Sequence, residues 1–192
     1  MHHEDLLAAA KADFICACGQ RHHTDINRIV IGADPGGTLT SLVRELATGP
    51  AKVLLVADEN TWCAAGAAIH QQLCQADIAC QQIVFPADPP LVPDEKAVFA
   101  IVNALEPDVC LLVAVGSGTL NDLTRFVSHR VNRPYVIVAT APSMDGYASS
   151  VAALIINNMK QTVNAWGAAA ILAEPAVLAA CPPVMIAAGL GD

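Results

Sequence analysis

Residues 108–122 read Asp-Val-Cys-Leu-Leu-Val-Ala-Val-Gly-Ser-Gly-Thr-Leu-Asn-Asp, an almost unbroken apolar run that empties into a glycine turn and then a helix-forming stretch. An apolar run without polar alternation fits a strand buried on both faces, the situation of a parallel sheet covered by helices. The turn Gly116-Ser-Gly-Thr119 is of the kind that brings bare backbone amides against a phosphate. A second apolar strand, 135–139, opens into the polar, proline-marked segment Thr140-Ala-Pro-Ser-Met-Asp-Gly-Tyr-Ala-Ser-Ser150. Two strand ends that both carry hydrogen-bonding groups point to one ligand lying across neighbouring loops.

The same alternation recurs along the chain. Strands are expected at 28–32, 52–57, 81–85, 108–115 and 135–139, with helices over 38–47, 61–75, 94–105 and 120–131. This pattern predicts an α/β fold, a mainly parallel sheet with helices on both faces. Residues 151–156 and 168–172 read as two further strands, and the Asn-Asn-Met-Lys-Gln stretch between them as a turn. Residues 183–188 look like the first turns of a helix, and 1–27 form a polar, histidine-rich lead-in. No charged residue falls between Glu174 and Asp192, and so apolar a segment is expected to be covered by further chain or by another subunit.

The 192 residues fit one domain, and a 54% hydrophobic composition supplies ample core. A net charge of −8 argues against nucleic acid as a partner, because phosphate backbones are held by dense Lys and Arg. One local basic group, Arg125, His129, Arg130 and Arg133, is expected to decorate the solvated face and end of a helix. The seven cysteines are odd in number, irregularly spaced and preceded by no secretory signal, which reads as reduced thiols in a cytoplasmic protein. Prolines and Glu174 interrupt the longest apolar tract, 167–190, so no membrane span is expected.

Taken locally, each candidate has two readings. The usual dinucleotide fingerprint places a third glycine near position 121, where this chain has Asn121. Gly116–Thr119 therefore fits a phosphate cradle and a plain tight βα turn about equally. Asp122 would compete with a phosphate for the helix dipole, or else cap amides and hold the loop in shape. Asp58, at the end of the 52–57 strand, can accept both ribose hydroxyls of an adenosine and repel a 2′-phosphate; it can equally be a helix N-cap. Thr140 to Ser143 with Asp145-Gly146 gathers hydroxyls, a rigid proline and a carboxylate, more than a simple turn requires. Cys16-Ala-Cys18 with His22 and His23 suggests a metal knuckle, but C-x-C is tighter than zinc spacing and no second pair follows.

Three stretches carry a resemblance. Val115-Gly-Ser-Gly-Thr-Leu-Asn-Asp122, residues 134–150 and Ala187-Ala-Gly-Leu-Gly-Asp192 together resemble the sn-glycerol-1-phosphate dehydrogenases, in the superfamily of glycerol dehydrogenases, iron-dependent alcohol dehydrogenases and dehydroquinate synthases. Cys16-Ala-Cys-Gly-Gln-Arg-His22 and Val53-Leu-Leu-Val-Ala-Asp-Glu-Asn60 are similar to the bacterial branch. The resemblance implies a Rossmann-like N-terminal domain over 1–192, with 183–192 beginning an all-helical domain that this sequence does not contain. It implies that Gly116, Ser117, Gly118, Thr119, Leu120, Asn121 and Asp122 hold the pyrophosphate of NAD(P), and that Thr140, Ala141, Pro142, Ser143 and Ser149 line its nicotinamide side. Asp58 would hold the adenosine ribose, and Asp145 a phosphorylated triose. Asp192 would touch substrate and supply the first ligand of a zinc or nickel ion, whose two histidine ligands lie in the helical domain. The implied reaction interconverts dihydroxyacetone phosphate and sn-glycerol 1-phosphate, in phospholipid metabolism, with little or no turnover expected from these 192 residues alone. A nucleotide-binding unit without catalysis and a dehydroquinate synthase-like lyase are the alternatives; Ser143-Met-Asp-Gly-Tyr147 favours the glycerol-phosphate reading. A homodimer is one way to cover the apolar C-terminal segment.

Overall fold

Strands form where the sequence runs apolar, and their order decides where a ligand can sit. The computed structural model describes residues 14–15, 17–22, 24, 26–32, 34–47 and 51–192. A short antiparallel pair, β1 (Phe14–Ile15) and β2 (Arg21–His22), lies in the lead-in. Then follow β3 (Arg28–Ile31), α1 (Pro35–Leu46), β4 (Lys52–Asp58), α2 (residues 59–75), β5 (Ala79–Phe85), α3 (Glu95–Ala104), β6 (Leu111–Gly116), α4 (Gly118–Val131) and β7 (Tyr135–Ala139). After a 3-10 turn, Gly146–Ala148, come β8 (Val151–Ile156), β9 (Met159–Asn164), β10 (Ala170–Ala173), α5 (Pro175–Ala180) and α6 (Pro183–Gly191).

Six strands pair in the order β3-β10-β7-β6-β4-β5, and every pairing is parallel. Alternate residues of the apolar strands enter two separate cores. Leu54, Val56, Leu112, Ala114 and Ile137 pack with α3, α4 and β8 on one face. Val53, Leu55, Leu111, Val113, Val115 and Val138 pack with α1 and α2 on the other. Burial on both sides is why β6 and β7 show no polar alternation: all their residues are buried. Each fully buried Leu, Val or Ile contributes about 1.5–3 kcal/mol, so these central strands anchor the fold.

α1, α2 and α4 begin earlier than the apolar pattern suggests, and α3 one residue later. Asp34 accepts from the Gly37 amide with Pro35 at the first helical position, so α1 begins at 35 and not 38. Asp58 starts α2 at Glu59, and α2 passes through a π-helical stretch, Trp62–Gly66. The segment read as a turn at 157–161 is mostly strand. Asn157 and Asn158, at φ 53° and 60°, make a two-residue hairpin turn, and β9 pairs along all of β8. β9 escaped the sequence reading because it is polar and partly exposed; it adds only Val163 to the edge of the core, whereas its partner β8 buries Ala152 and Leu154 there. α5 was also unforeseen, although Glu174-Pro175 marks its start. No helix among the described residues is long and apolar enough to cross a membrane. Val184 and Leu190 of α6 are exposed, so the apolar C-terminal segment is only partly covered by the described residues.

Candidate functional site

The strand order reverses beside β4. The connection leaving β4 runs through α2, on one face, to β5 at the sheet edge. The connection leaving β6 runs through α4, on the opposite face, towards β7. Where two such connections diverge, the carboxyl ends of the strands leave a crevice. A cleft of about 980 Å³ opens there. It is lined by Asp58, Glu59, Asn60 and Thr61 from the end of β4, by Ser117, Thr119 and Leu120 from the end of β6, and by Thr140 and Ala141 from the end of β7. Ala87, Pro90 and Leu91 beyond β5 form one flank, and Val177, Cys181 and Met185 of the C-terminal helices form an apolar wall.

The glycine turn is built to present amides. Ser117 is the N-cap of α4 and its side chain caps nothing; the first intrahelical bond runs from the Asn121 amide to the Ser117 carbonyl at 2.9 Å. The amides of Gly118, Thr119 and Leu120 precede the helical ladder, and no acidic side chain stands in the first turn. Gly116 is required by packing, since a Cβ there would lie 2.9 Å from Leu120 Cβ. A Cβ on Gly118 would have no heavy atom within 4 Å, so the space above that residue is open.

The second corner is bonded to the first. Ala139 is in register with Gly116, and the Thr140 amide donates to the Gly116 carbonyl at 3.1 Å. The two corners that the sequence singles out are therefore adjacent, on the same edge of the sheet. Tyr147 Oη donates to the Ala141 carbonyl at 2.6 Å and fixes the shape of the second loop; burial pushes its pKa up. α6 closes on this loop so tightly that a Cβ on Gly189 would sit 1.8 Å from the Pro142 carbonyl oxygen. That approach brings Asp192 to Asp145, whose amide donates to Asp192 Oδ2 at 3.0 Å.

Asp58 takes the N-cap role that its position allows. Its Oδ1 accepts from the Thr61 amide at 2.8 Å while Thr61 Oγ1 accepts from the Asp58 amide at 3.0 Å, a reciprocal cap. The carboxylate nevertheless lines the cleft. Glu59, which the sequence reading passed over, also lines it, with Oε2 accepting from the Ala87 amide at 3.1 Å.

Of the residues expected at the site, Asp58, Ser117, Thr119, Leu120, Thr140 and Ala141 line the cleft together. Gly116 and Gly118 belong to the same turn without lining the cleft, and Pro142, Ser143, Asp145 and Asp192 gather under α6. Asn121, Asp122 and Ser149 are turned to other partners. Asn121 is fully buried, accepting from Tyr135 Oη and donating to the Gly146 carbonyl. Asp122 accepts from Arg125 at 2.7 Å and from the Ala153 amide at 3.2 Å; desolvation raises its pKa, against the pull of Arg125. Ser149 Oγ exchanges hydrogen bonds with the backbone of Val151.

Arg125 corrects the expected solvated basic face. It is 1% exposed and donates to Tyr135 Oη, to Asp122 and to the carbonyls of Gly146, Tyr147 and Val151. Arg130 lies over the Phe126 ring, and Arg133 donates to the carbonyls of Glu106 and Pro107. The (i, i+3) spacing of Asp122 and Arg125 was the available signal. Cys16 and His23 of the C-x-C stretch lie outside the described residues. Cys18 is disulfide-bonded, contrary to the expectation that every thiol stays reduced, while Cys63, Cys74, Cys80, Cys110 and Cys181 are free. Among the described residues no group of three His, Cys, Asp or Glu side chains could hold a metal ion.

A family model described as iron-containing alcohol dehydrogenase matches residues 30–182. The chain belongs to this family. It is 35% identical over 192 residues to the glycerol-1-phosphate dehydrogenase [NAD(P)+] of Geobacillus stearothermophilus, covering 98% of this chain and 46% of that protein. A glycerol dehydrogenase from Schizosaccharomyces pombe superposes with a TM-score of 0.74 at 20% identity, over 90% of this chain and 43% of the other. An NADH-dependent butanol dehydrogenase from Thermotoga maritima gives a TM-score of 0.74 at 17% identity, over 89% and 48% of the two chains. These likenesses bear out the Rossmann-like α/β fold. The chain spans about half the length of the curated relatives it matches.

Proposed function

We propose that this chain forms the NAD(P)-binding half of an oxidoreductase that interconverts dihydroxyacetone phosphate and sn-glycerol 1-phosphate. The observation that carries the reading is the 3.1 Å bond from the Thr140 amide to the Gly116 carbonyl, which joins the amide-rich turn to the hydroxyl-bearing loop. A dinucleotide laid across that junction places its pyrophosphate on the amides of Gly118, Thr119 and Leu120. Its nicotinamide then lies towards Thr140 and Ala141, and its adenosine ribose towards Asp58. Asn121, Asp122 and Ser149 keep the loops in place in this reading and do not touch the cofactor.

Bound NAD(P)H supplies the hydride; this chain supplies placement and water exclusion. The apolar wall of Val177, Cys181 and Met185 faces the polar strand ends across the cleft and restricts water at the reacting end. Asp145 orients a hydroxyl of the triose, and α6 holds Asp192 beside it. The described residues do not fit a metal by themselves. Asp192 is one carboxylate, and catalytic sites typically use about three protein ligands. The same observation favours a second reading, in which these residues bind nucleotide without turning it over.

Calorimetric titration with NADH tests the proposal. One site per chain is expected, weakened at least severalfold by Asp58→Ser. Serine retains N-cap capacity, whereas alanine would also remove a cap worth about 1 kcal/mol. Absence of binding heat together with an unchanged thermal melt in NADH refutes the reading. Loss of NADH absorbance on adding dihydroxyacetone phosphate and a divalent metal would rule out the binding-only alternative.

A further inference from the structure

We propose that Tyr147 is a positioning residue for the nicotinamide end of the bound dinucleotide, acting through the Ala141 carbonyl and leaving the adenosine end untouched. The inference rests on the nucleotide reading above and goes beyond it, because Tyr147 is not among the residues that line the cleft. The strand order separates the two ends of the ligand. β7, β6, β4 and β5 are successive parallel neighbours, so their carboxyl ends form a row. A pyrophosphate at the end of β6, with the nicotinamide towards β7, leaves the adenosine ribose to the end of β4.

Tyr147 ties the second corner to the helix that starts at the first. It sits in the 3-10 turn Gly146–Ala148, where the Gly146 and Tyr147 carbonyls both accept from Arg125 of α4, at 2.7 and 3.2 Å. Its own hydroxyl reaches back to the Ala141 carbonyl at 2.6 Å. The helix whose first amides face the pyrophosphate therefore also sets the Thr140–Ala141 wall, through Arg125 and then Tyr147. Ala141 is 1% exposed, so water cannot replace the phenol at its carbonyl. A buried carbonyl left unpaired is costly, and the loop must shift to satisfy it. On its other side the loop meets α6, where a Cβ on Gly189 would lie 1.8 Å from the Pro142 carbonyl oxygen. The wall is thus held from two sides before a ligand arrives, and a preformed wall spares the ligand the cost of ordering it. None of these contacts reaches the end of β4, where Asp58 is tied to the Thr61 amide and Glu59 to the Ala87 amide. Loss of the phenol hydroxyl falls on one end of the ligand only.

The test compares NADH with ADP-ribose by titration calorimetry on the whole chain, for the native sequence and for Tyr147→Phe. ADP-ribose carries the adenosine, the pyrophosphate and the second ribose but no nicotinamide. Phenylalanine keeps the ring and removes only the hydroxyl. NADH is expected to bind the variant about three- to tenfold more weakly than the native chain, the size of one hydrogen bond, and ADP-ribose to stay within about twofold. An NADH affinity that Tyr147→Phe leaves unchanged would overturn the proposal. So would an equal or larger loss for ADP-ribose, which is what a general loosening of the fold produces. Failure of the native chain to bind either ligand would sink the nucleotide reading itself, whereas native binding of both with no selective loss in the variant would sink only the role of Tyr147.

Discussion

Replacing Arg125 by methionine removes the guanidinium while keeping most of the stem volume, and so isolates the polar network beneath the site. Five acceptors lose a donor: Tyr135 Oη, Asp122 Oδ1 and the carbonyls of Gly146, Tyr147 and Val151. They are not equally exposed to the loss. The Gly146 carbonyl still accepts from the Ser149 amide, and the Val151 carbonyl from Ser149 Oγ. The Tyr147 carbonyl and the Asp122 carboxylate suffer most. Breaking a buried ion pair from one side costs about 3–5 kcal/mol. Asp122 keeps the Ala153 amide and is 20% exposed, which pulls that figure to its lower end. An unsatisfied carbonyl adds about 1 kcal/mol. The sum is about 4 kcal/mol, a large part of the roughly 5–15 kcal/mol that a domain has. Urea unfolding followed by circular dichroism should read that loss, and the melting temperature should fall by about 8–16 °C. Adding Asp122→Asn to Arg125→Met should recover part of it, because the orphaned charge is gone. A single variant within about 1 kcal/mol of the native chain would refute the view that this network holds the 146–151 segment in place.

The remaining expectations are smaller in scope. Gly118→Val should abolish NADH binding in calorimetry and leave thermal stability within about 1 kcal/mol, since no protein atom occupies the added Cβ position; retained binding would remove the turn from the site. Gly189→Ala should free the Asp145 amide to exchange faster, because the 1.8 Å approach to the Pro142 carbonyl forces α6 away and separates Asp192 from Asp145. Unchanged hydrogen exchange at Asp145 would contradict this. Burial pushes the Tyr135 phenol from 10 up to about 12, so the neutral form is the one the fold favours. That contribution is complete below pH 10 and is lost as pH rises towards 12, on the order of 3 kcal/mol in all; Tyr135→Phe should make the alkaline decline shallower in urea titrations at stepped pH.

The central sheet was legible because its strands are buried on both faces. β4, β6 and β7 carry no polar alternation, and nothing but a covered parallel sheet accommodates three such runs separated by helical patterns. The two corners were legible for a related reason. A strand's carboxyl end is fixed once the strand is found, and the glycine turn and the Thr140 loop each begin at one. What the sequence could not order was the row of strands. β10 inserts between β3 and β7 although thirty residues separate it from β7, and that insertion depends on pairing across the sheet.

The misreadings share one physical cause, which is that a side chain's partners can lie far along the chain. Arg125 looks like one more surface cation within a cluster of four, but its acceptors lie 10 to 26 residues further on or pair with it across one helical turn. A guanidinium reaches that many carbonyls only when a turn and a hairpin fold over the helix that carries it, so its burial follows from the topology. Glu59 is the reverse case. Its neighbour Asp58 marked the strand end, but only the pairing of β4 with β5 brings Ala87 within reach of Glu59 and fixes a second charge beside the first.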